Sequence, residues 1–79
     1  MQMNSTVIYK TNCYDDAINI SVSLRNEGSV IVDARNAEEE TAKKIIDFVS
    51  GAAYATGGYM AELDNNLVVF SKDHIIDSD

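Results

Sequence analysis

Residues 45–58 read IIDFVSGAAYATGG, and this run contains the strongest structural signals of the chain. Its first half has the apolar spacing of a helix, and its second half consists of small residues that lead to Gly57 and Gly58. Paired glycines at this point favour a turn that ends the helix and leads into a β-hairpin. The small residues of the last turns indicate that something approaches this helix closely. Because the stretch holds no nucleophile–base pair, metal-ligand cluster or phosphate loop, it favours assembly and binding over catalysis.

Size and cysteine content favour self-association. A chain of 79 residues forms one small domain, and a domain of this size buries only about 60% of the surface that its unfolded chain exposes. Cys13 is the single cysteine and His74 the single histidine, so we predict neither an internal disulfide nor a metal site, and no cofactor. Association with another chain is the remaining common source of stability for a small domain.

The net charge restricts the choice of partner. Thirteen acidic and six basic residues give a charge of −7, which disfavours nucleic acid and a bare anionic membrane surface. A basic or amphipathic peptide is the better electrostatic match. No apolar run reaches the roughly 18 residues of a membrane span, and no signal-peptide pattern opens the chain. We therefore expect a cytoplasmic protein.

The first half of the chain predicts a strand and a helix. Residues 1–5 are polar and expected to fray, and residues 6–9 form a short β-rich run. Apolar residues alternate over 18–24, which is typical of a strand, but Asn12 with Asp15 resembles a helix cap and Gly28 sits where a helix C-cap belongs. We predict a helix whose apolar face consists of Tyr14, Ala17, Ile18, Ser21 and Leu24.

The second half predicts a strand, a long helix and a hairpin. Residues 30–32 form an apolar triplet, Asn36 is a candidate cap, and the acidic residues 38–40 suit the first turn of a helix. Strands over 59–63 and 67–71 flank the turn at 64–66, and residues 74–76 could add an edge strand. The helix has one apolar face made of Ala42, Ile45, Ile46, Val49 and Ala53. The predicted fold is an α/β sandwich, with two helices on one mixed sheet of four to five strands in the order β-α-β-α-β-β.

Four segments resemble the core domain of the SepF family of prokaryotic cell-division proteins: YDDA at 14–17, VIVD at 30–33, AKKIIDFVSG at 42–51 and ATGG at 55–58. The resemblance covers residues 6–77. It implies a dimeric, non-enzymatic adaptor that binds the C-terminal tail of FtsZ and tethers FtsZ filaments to the membrane at the division site. Family members reach the membrane through an N-terminal amphipathic helix, and residues 1–5 are too short and too polar to form one. We therefore expect membrane attachment only through a segment outside this chain.

The resemblance also implies two sets of site residues. The FtsZ tail docks near the hairpin of a dimer, which corresponds here to Glu62, Leu67, Val68 and Phe70. Glu62 falls where some members carry a basic residue, and Val68 where many carry phenylalanine. Some members polymerise through an interface that needs the glycine matching Gly51. The implied self-association residues are therefore Phe48, Gly51, Ala52 and Tyr54, with a homodimer expected and a higher polymer left open.

Several alternatives stay open at this point. Gly51 could mark a kink or an internal contact instead of the approach of another subunit, and Phe48 could lie at the edge of the core instead of in a helix–helix dimer contact. Residues 67–70 are all apolar, so this strand presents apolar side chains on both faces of the sheet. This favours a partner on the second face, although helices or loops could cover both faces. The alternative function is a small dimeric ligand-binding regulatory domain, but ferredoxin-like domains of that kind run β-α-β-β-α-β.

Overall fold

A computed structural model describes residues 6–72, which form four strands and two helices in the predicted order. The strands are β1 (Val7–Lys10), β2 (Ser29–Asp33), β3 (Tyr59–Asp64) and β4 (Leu67–Ser71). The helices are α1 (Asp16–Glu27) and α2 (Glu39–Ala55). This architecture confirms the predicted fold class. The predicted fraying of residues 1–5 and the predicted edge strand at 74–76 lie outside the described residues.

The four strands form one mixed sheet in the order β1-β2-β4-β3. β1 and β2 are parallel, as expected of strands joined through a helix, and β4 pairs antiparallel with both β2 and β3. α1 packs on β2, α2 packs on β3 and β4, and the two helices pack on each other. One helical layer therefore covers one face of the sheet.

The core lies between this helical layer and the two central strands. Val30 and Val32 of β2, together with Val68 and Phe70 of β4, are buried and face the helices. From α2, the stripe predicted by the sequence is buried at Ala42, Ile45, Val49 and Ala53, with Ile46 partly buried at its edge. α1 contributes Ala17, Ile20 and Leu24.

The start of α1 differs from the prediction. The helix begins at Asp16, four residues after Asn12, and its first turn is closed by short backbone bonds from Asp16 N to Cys13 O (3.1 Å) and from Ala17 N to Tyr14 O (2.9 Å). The cause is Thr11, whose backbone N donates to Asp33 O (3.0 Å) and whose hydroxyl donates to the Asp16 carboxylate (2.7 Å). These bonds hold the connection against the sheet, so a 3₁₀-type turn replaces the predicted cap.

The start of α2 is also later than predicted. Asn36 lies in the preceding turn, where Ala37 N donates to Ala34 O (3.1 Å), and Glu38 is the N-cap residue with extended backbone. Glu39 and Glu40 occupy the first helical turn, as predicted, where the positive end of the helix dipole favours carboxylates. The acidic run therefore marks the start of this helix more accurately than the candidate cap does.

The end of α2 explains the glycine pair. Gly57 has a left-handed φ of 80° and donates to Tyr54 O (3.0 Å), while Gly58 donates to Ala53 O (2.8 Å). This is the Schellman pattern, which turns the chain out of the helix and into β3. Gly58 also lies directly against the end of β4: a Cβ atom there would overlap the carbonyl oxygen of Ser71 and come within 2.7 Å of the Lys72 backbone.

Gly51 differs from Gly58 in its surroundings. It is exposed on α2, and an added Cβ would meet no atom of the described residues within 4 Å. This excludes a close contact between Gly51 and the described part of the same chain. Approach of another subunit at this position stays a prediction.

The two glycines should respond oppositely to alanine. Gly58→Ala should lower the free energy of unfolding by about 1–3 kcal/mol or more, because the new methyl group meets rigid backbone. Gly51→Ala should raise it by about 0.5–1 kcal/mol, because alanine is the better helix former and the space is open. Urea unfolding at one fixed protein concentration measures both. A Gly58→Ala domain as stable as the parent would contradict the close packing of Gly58 on β4.

Candidate functional site

The face of the sheet opposite the helices carries a continuous apolar row. The strand register places Ile8, Ile31, Val69 and Ala61 side by side across all four strands. Ile8 is 61% exposed, Ala61 is exposed, and Ile31 and Val69 are half-buried. Within residues 6–72 no helix packs on this side, which we call the open face.

Polar residues border the apolar row on both sides. One flanking row contains Ser29, Ser71 and Tyr59, and Ser29 Oγ lies 2.9 Å from the hydroxyl of Thr6. The other flanking row consists of Lys10, Asp33, Leu67 and Asp64. An apolar centre with a polar rim is the usual anatomy of a protein–protein interface.

A charged cluster fixes the geometry of the second rim. Arg35 donates from Nε to Asp33 Oδ1 (2.9 Å), from Nη2 to Asp33 Oδ2 (3.0 Å) and from its backbone N to Oδ1 (3.2 Å). These bonds, with the guanidinium charge, lower the pKa of Asp33 to about 2. Arg35 Nη1 also lies 3.9 Å from Asp64 Oδ2, and Ala34 N donates to Asn66 O (2.8 Å). The turn of the β3–β4 hairpin is therefore tied to the end of β2.

The four predicted peptide-contact residues do not share one surface. Val68 and Phe70 are buried, and their side chains face the helical layer. Glu62 pairs with Val68 at the edge of the sheet and is exposed, whereas Leu67 is half-buried on the open face beside Asp33. In the folded domain, Val68 and Phe70 therefore belong to the core beneath β4. Of the four predicted contact residues, only Glu62 and Leu67 are accessible to a peptide. Binding of a peptide at this hairpin stays a prediction.

A second apolar surface lies in the helical layer. A groove of about 270 Å³ runs between α1 and α2, lined among others by Ile18, Val22, Arg25, Phe48, Ala52 and Lys72. Phe48 is 39% exposed and its ring meets Tyr14 edge-on, with centroids 6.1 Å apart. Of the predicted self-association residues, the groove brings together Phe48 and Ala52, while Gly51 and Tyr54 are exposed on α2.

The predictions from the sequence did not include α1 as one side of this groove. Ile20 and Leu24 are buried, whereas Ile18 and Val22 are 62% and 51% exposed, so the predicted apolar face of α1, which contained Ile18 and not Ile20, differs from the buried face. The signal was present in the alternation over residues 18–24. Because alternate residues lie about 200° apart on a helix, four alternating apolar residues must divide between two faces.

Comparison with known proteins identifies the family. The sequence model described as Cell division protein SepF matches residues 7–75, a range that includes all six elements of the fold. This chain belongs to the SepF cell-division family. This family is described as one of cell-division proteins.

Individual SepF proteins agree with this assignment. The one from Desulfitobacterium hafniense is 41% identical over 69 residues, which make up 87% of this chain and 46% of that protein. The SepF proteins of Clostridium perfringens strain 13 and Halalkalibacterium halodurans are 35% and 33% identical over the same shares. The chain thus spans less than half the length of these relatives. Neither α1 nor α2 is long and apolar enough to cross a membrane.

The cluster beside the hairpin makes a prediction about acid titration. The Asp33 carboxylate should titrate near pH 2, as followed by NMR of its side-chain carbonyl carbon. Because its pKa is lower than in the unfolded chain, Asp33 stabilises the fold above about pH 4 and loses this contribution as the pH falls toward 2. Arg35→Gln should return the midpoint toward about 3.9.

Lys10→Gln is the matched control, because it removes the charge that contributes least to the shift. It should move the Asp33 midpoint less than Arg35→Gln does. A parent protein in which Asp33 titrates near pH 4 would show that the contact with Arg35 is not maintained in solution.

Proposed function

We propose that this chain is a dimeric, non-enzymatic cell-division adaptor that binds the C-terminal tail of FtsZ. In a longer protein it would help to tether FtsZ filaments to the membrane through a segment outside this chain. Membership of the SepF family supports the role in division. The observation that carries the proposal is the open face, where no helix of residues 6–72 covers the row Ile8–Ile31–Val69–Ala61.

Dimerisation through the open face follows from its composition. Two sheets that pack face to face lie about 10 Å apart and bury their facing side chains between them. A twofold axis along the apolar row would place the charged rim of one copy over the Ser29–Ser71–Tyr59 rim of its partner. This arrangement buries the apolar row of both copies without opposing like charges, so a second copy is the occupant that suits the open face best.

The FtsZ tail is assigned to the β3–β4 hairpin, next to this interface. Leu67, at the edge of the proposed dimer interface, offers an apolar contact where the two copies meet, and Glu62 and Asp64 are exposed carboxylates on the same hairpin. Arg35 is held mainly by Asp33 and is 3.9 Å from Asp64, so Glu62 and Asp64 together keep the exposed surface of the hairpin acidic. An acidic surface suits a basic or amphipathic peptide. Two hairpins in one dimer would engage two tails of a filament at once, which strengthens weak single contacts through avidity.

The alternative of a ligand-binding regulatory domain has less support. The order β-α-β-α-β-β differs from that of ferredoxin-like ligand-binding domains. Small-molecule pockets usually span about 300–1,000 Å³. The groove of about 270 Å³ and a polar pocket of about 120 Å³ beside Lys10 and Asn36 are both smaller.

Titration of a labelled FtsZ tail peptide into the purified domain tests the proposal. We expect saturable binding, with NMR shift changes centred on the hairpin. Leu67→Ser should weaken binding about tenfold, equivalent to about 1.4 kcal/mol, because it removes the apolar contact. Val22→Ser makes a similar change in the helical layer and should leave the affinity unchanged.

Failure of a cognate tail peptide to bind at millimolar concentration would overturn the adaptor proposal. Binding that Val22→Ser abolishes and Leu67→Ser leaves intact would move the peptide from the hairpin to the helical layer. That result would rule out the hairpin as the binding site but would not exclude the FtsZ tail as the partner.

A further inference from the structure

Arg35 lies beside the proposed peptide site, although the family resemblance did not imply a role for it. It follows the last residue of β2 by two positions, outside the paired rows of the sheet, and half of its side chain is exposed. Its guanidinium reaches Asp33 on β2 (2.9 Å) and lies 3.9 Å from Asp64 on β3. In the strand register these two residues are the neighbours of Leu67 on either side. The guanidinium therefore spans the rim of the open face at the position of Leu67.

The guanidinium of Arg35 is held in one orientation. Nε and Nη2 donate to the two oxygens of the Asp33 carboxylate, and the backbone N of Arg35 donates to the same carboxylate. Asp33 keeps its charge throughout the neutral range, because these bonds lower its pKa to about 2. An arginine fixed in this way loses little further side-chain entropy when it binds another group. This end of the hairpin is therefore preorganised for binding.

Part of the guanidinium is free to donate to a further group. Asp33 accepts from Nε and Nη2, whereas Nη1 lies 3.9 Å from Asp64 Oδ2, which is too far for a hydrogen bond. Nη1 carries two N–H groups. Among residues 6–72 neither of them has a hydrogen-bond acceptor. The exposed side of Arg35 thus presents charged donors beside Leu67.

The surrounding charges determine which acceptor suits these donors. Asp33 and Asp64 flank the guanidinium, and Glu62 adds another exposed carboxylate on the hairpin. A carboxylate of a ligand would be repelled by these groups. A main-chain carbonyl oxygen carries no net charge and accepts from the same N–H groups. A peptide that lies along Leu67 offers such an oxygen at every residue.

We propose that Arg35 is a contact residue of the peptide site, where Nη1 donates to a main-chain carbonyl oxygen of the bound FtsZ tail. This inference rests on the proposed adaptor function and adds to it the residue that recognises the peptide backbone. Leu67 supplies the apolar contact, and Arg35 fixes the position of the main chain beside it. A charge-assisted hydrogen bond of this kind is roughly twice as strong as one between neutral groups.

Titration of the labelled tail peptide into variants of Arg35 tests the contact. Arg35→Gln should weaken binding about tenfold, the loss expected of one hydrogen bond to a charged group. Arg35→Lys keeps the charge but lacks the planar set of donors, so it should also weaken binding. Lys10→Gln is the matched control. It removes a positive charge next to Asp33 on the side away from Leu67, and it should leave the affinity unchanged.

The sign of the change separates a direct contact from a general effect of charge. Without Arg35 the carboxylate of Asp33 loses its partner and the rim becomes more acidic. If only charge mattered, a basic tail would then bind more tightly. The amide of Ala34, which donates to Asn66 O (2.8 Å), reports whether the turn of the hairpin stays in place. Its exchange with solvent should be the same in Arg35→Gln and in the parent protein.

Ester substitution in the peptide identifies the acceptor. An ester carbonyl oxygen is a weaker hydrogen-bond acceptor than an amide carbonyl oxygen, and the peptide amides can be replaced one at a time. At one position the ester should lower the affinity for the parent protein more than the affinity for Arg35→Gln. Such a coupling between one peptide carbonyl and one side chain is the result of a double-mutant cycle.

The outcomes distinguish the contact from the function on which it rests. Failure of the parent protein to bind the tail would overturn the adaptor proposal and this contact with it. Binding that Arg35→Gln leaves unchanged or strengthens would overturn the contact alone. A loss of affinity accompanied by faster exchange of the Ala34 amide would show that Arg35 only supports the turn, which would also overturn the direct contact.

Discussion

The sheet carries apolar side chains on both of its faces, but the two helices cover only one of them. The central strands β2 and β4 are apolar at successive positions, so both of their faces carry apolar side chains. α1 and α2 cover only the face that holds Val30, Val32, Val68 and Phe70. Ile31 and Val69 point to the other side, where the described chain supplies no second layer. An apolar row left uncovered by the described residues favours a partner layer, which is the physical basis for proposing a dimer.

The three glycines within residues 45–58 have different structural roles. Gly57 and Gly58 end α2 and let the chain lie directly against the backbone at the end of β4. Gly51 makes no comparable internal contact and faces outward. The glycine pair is therefore required by the fold, while Gly51 only leaves open space on the surface of α2.

Local sequence signals were enough to predict the order of the helices and strands. They did not predict the helix starts, which depend on contacts between residues far apart in the sequence. The left-handed C-cap Gly28 and the acidic start of α2 placed the helices, because these features act within one turn. Asn12 and Asn36 failed as caps because the bonds of Thr11 and Ala34, which set the real helix starts, involve the sheet and the turns beside it. The sequence likewise left open which alternate residues of β4 face the helices. Either Leu67 and Val69 or Val68 and Phe70 could have faced the helices, so the sequence could not tell which residues stay accessible to a peptide.

We propose that the open face of the sheet joins two copies of the domain. Sedimentation equilibrium of the parent protein, Ile31→Asp and Ile18→Asp at high micromolar concentration tests this. We expect a dimer for the parent protein and for Ile18→Asp, whose new carboxylate lies in the helical layer. We expect a folded monomer for Ile31→Asp, because the dimer would bury an unpaired charge. A parent protein that stays monomeric, or an Ile31→Asp variant that stays dimeric, would contradict it.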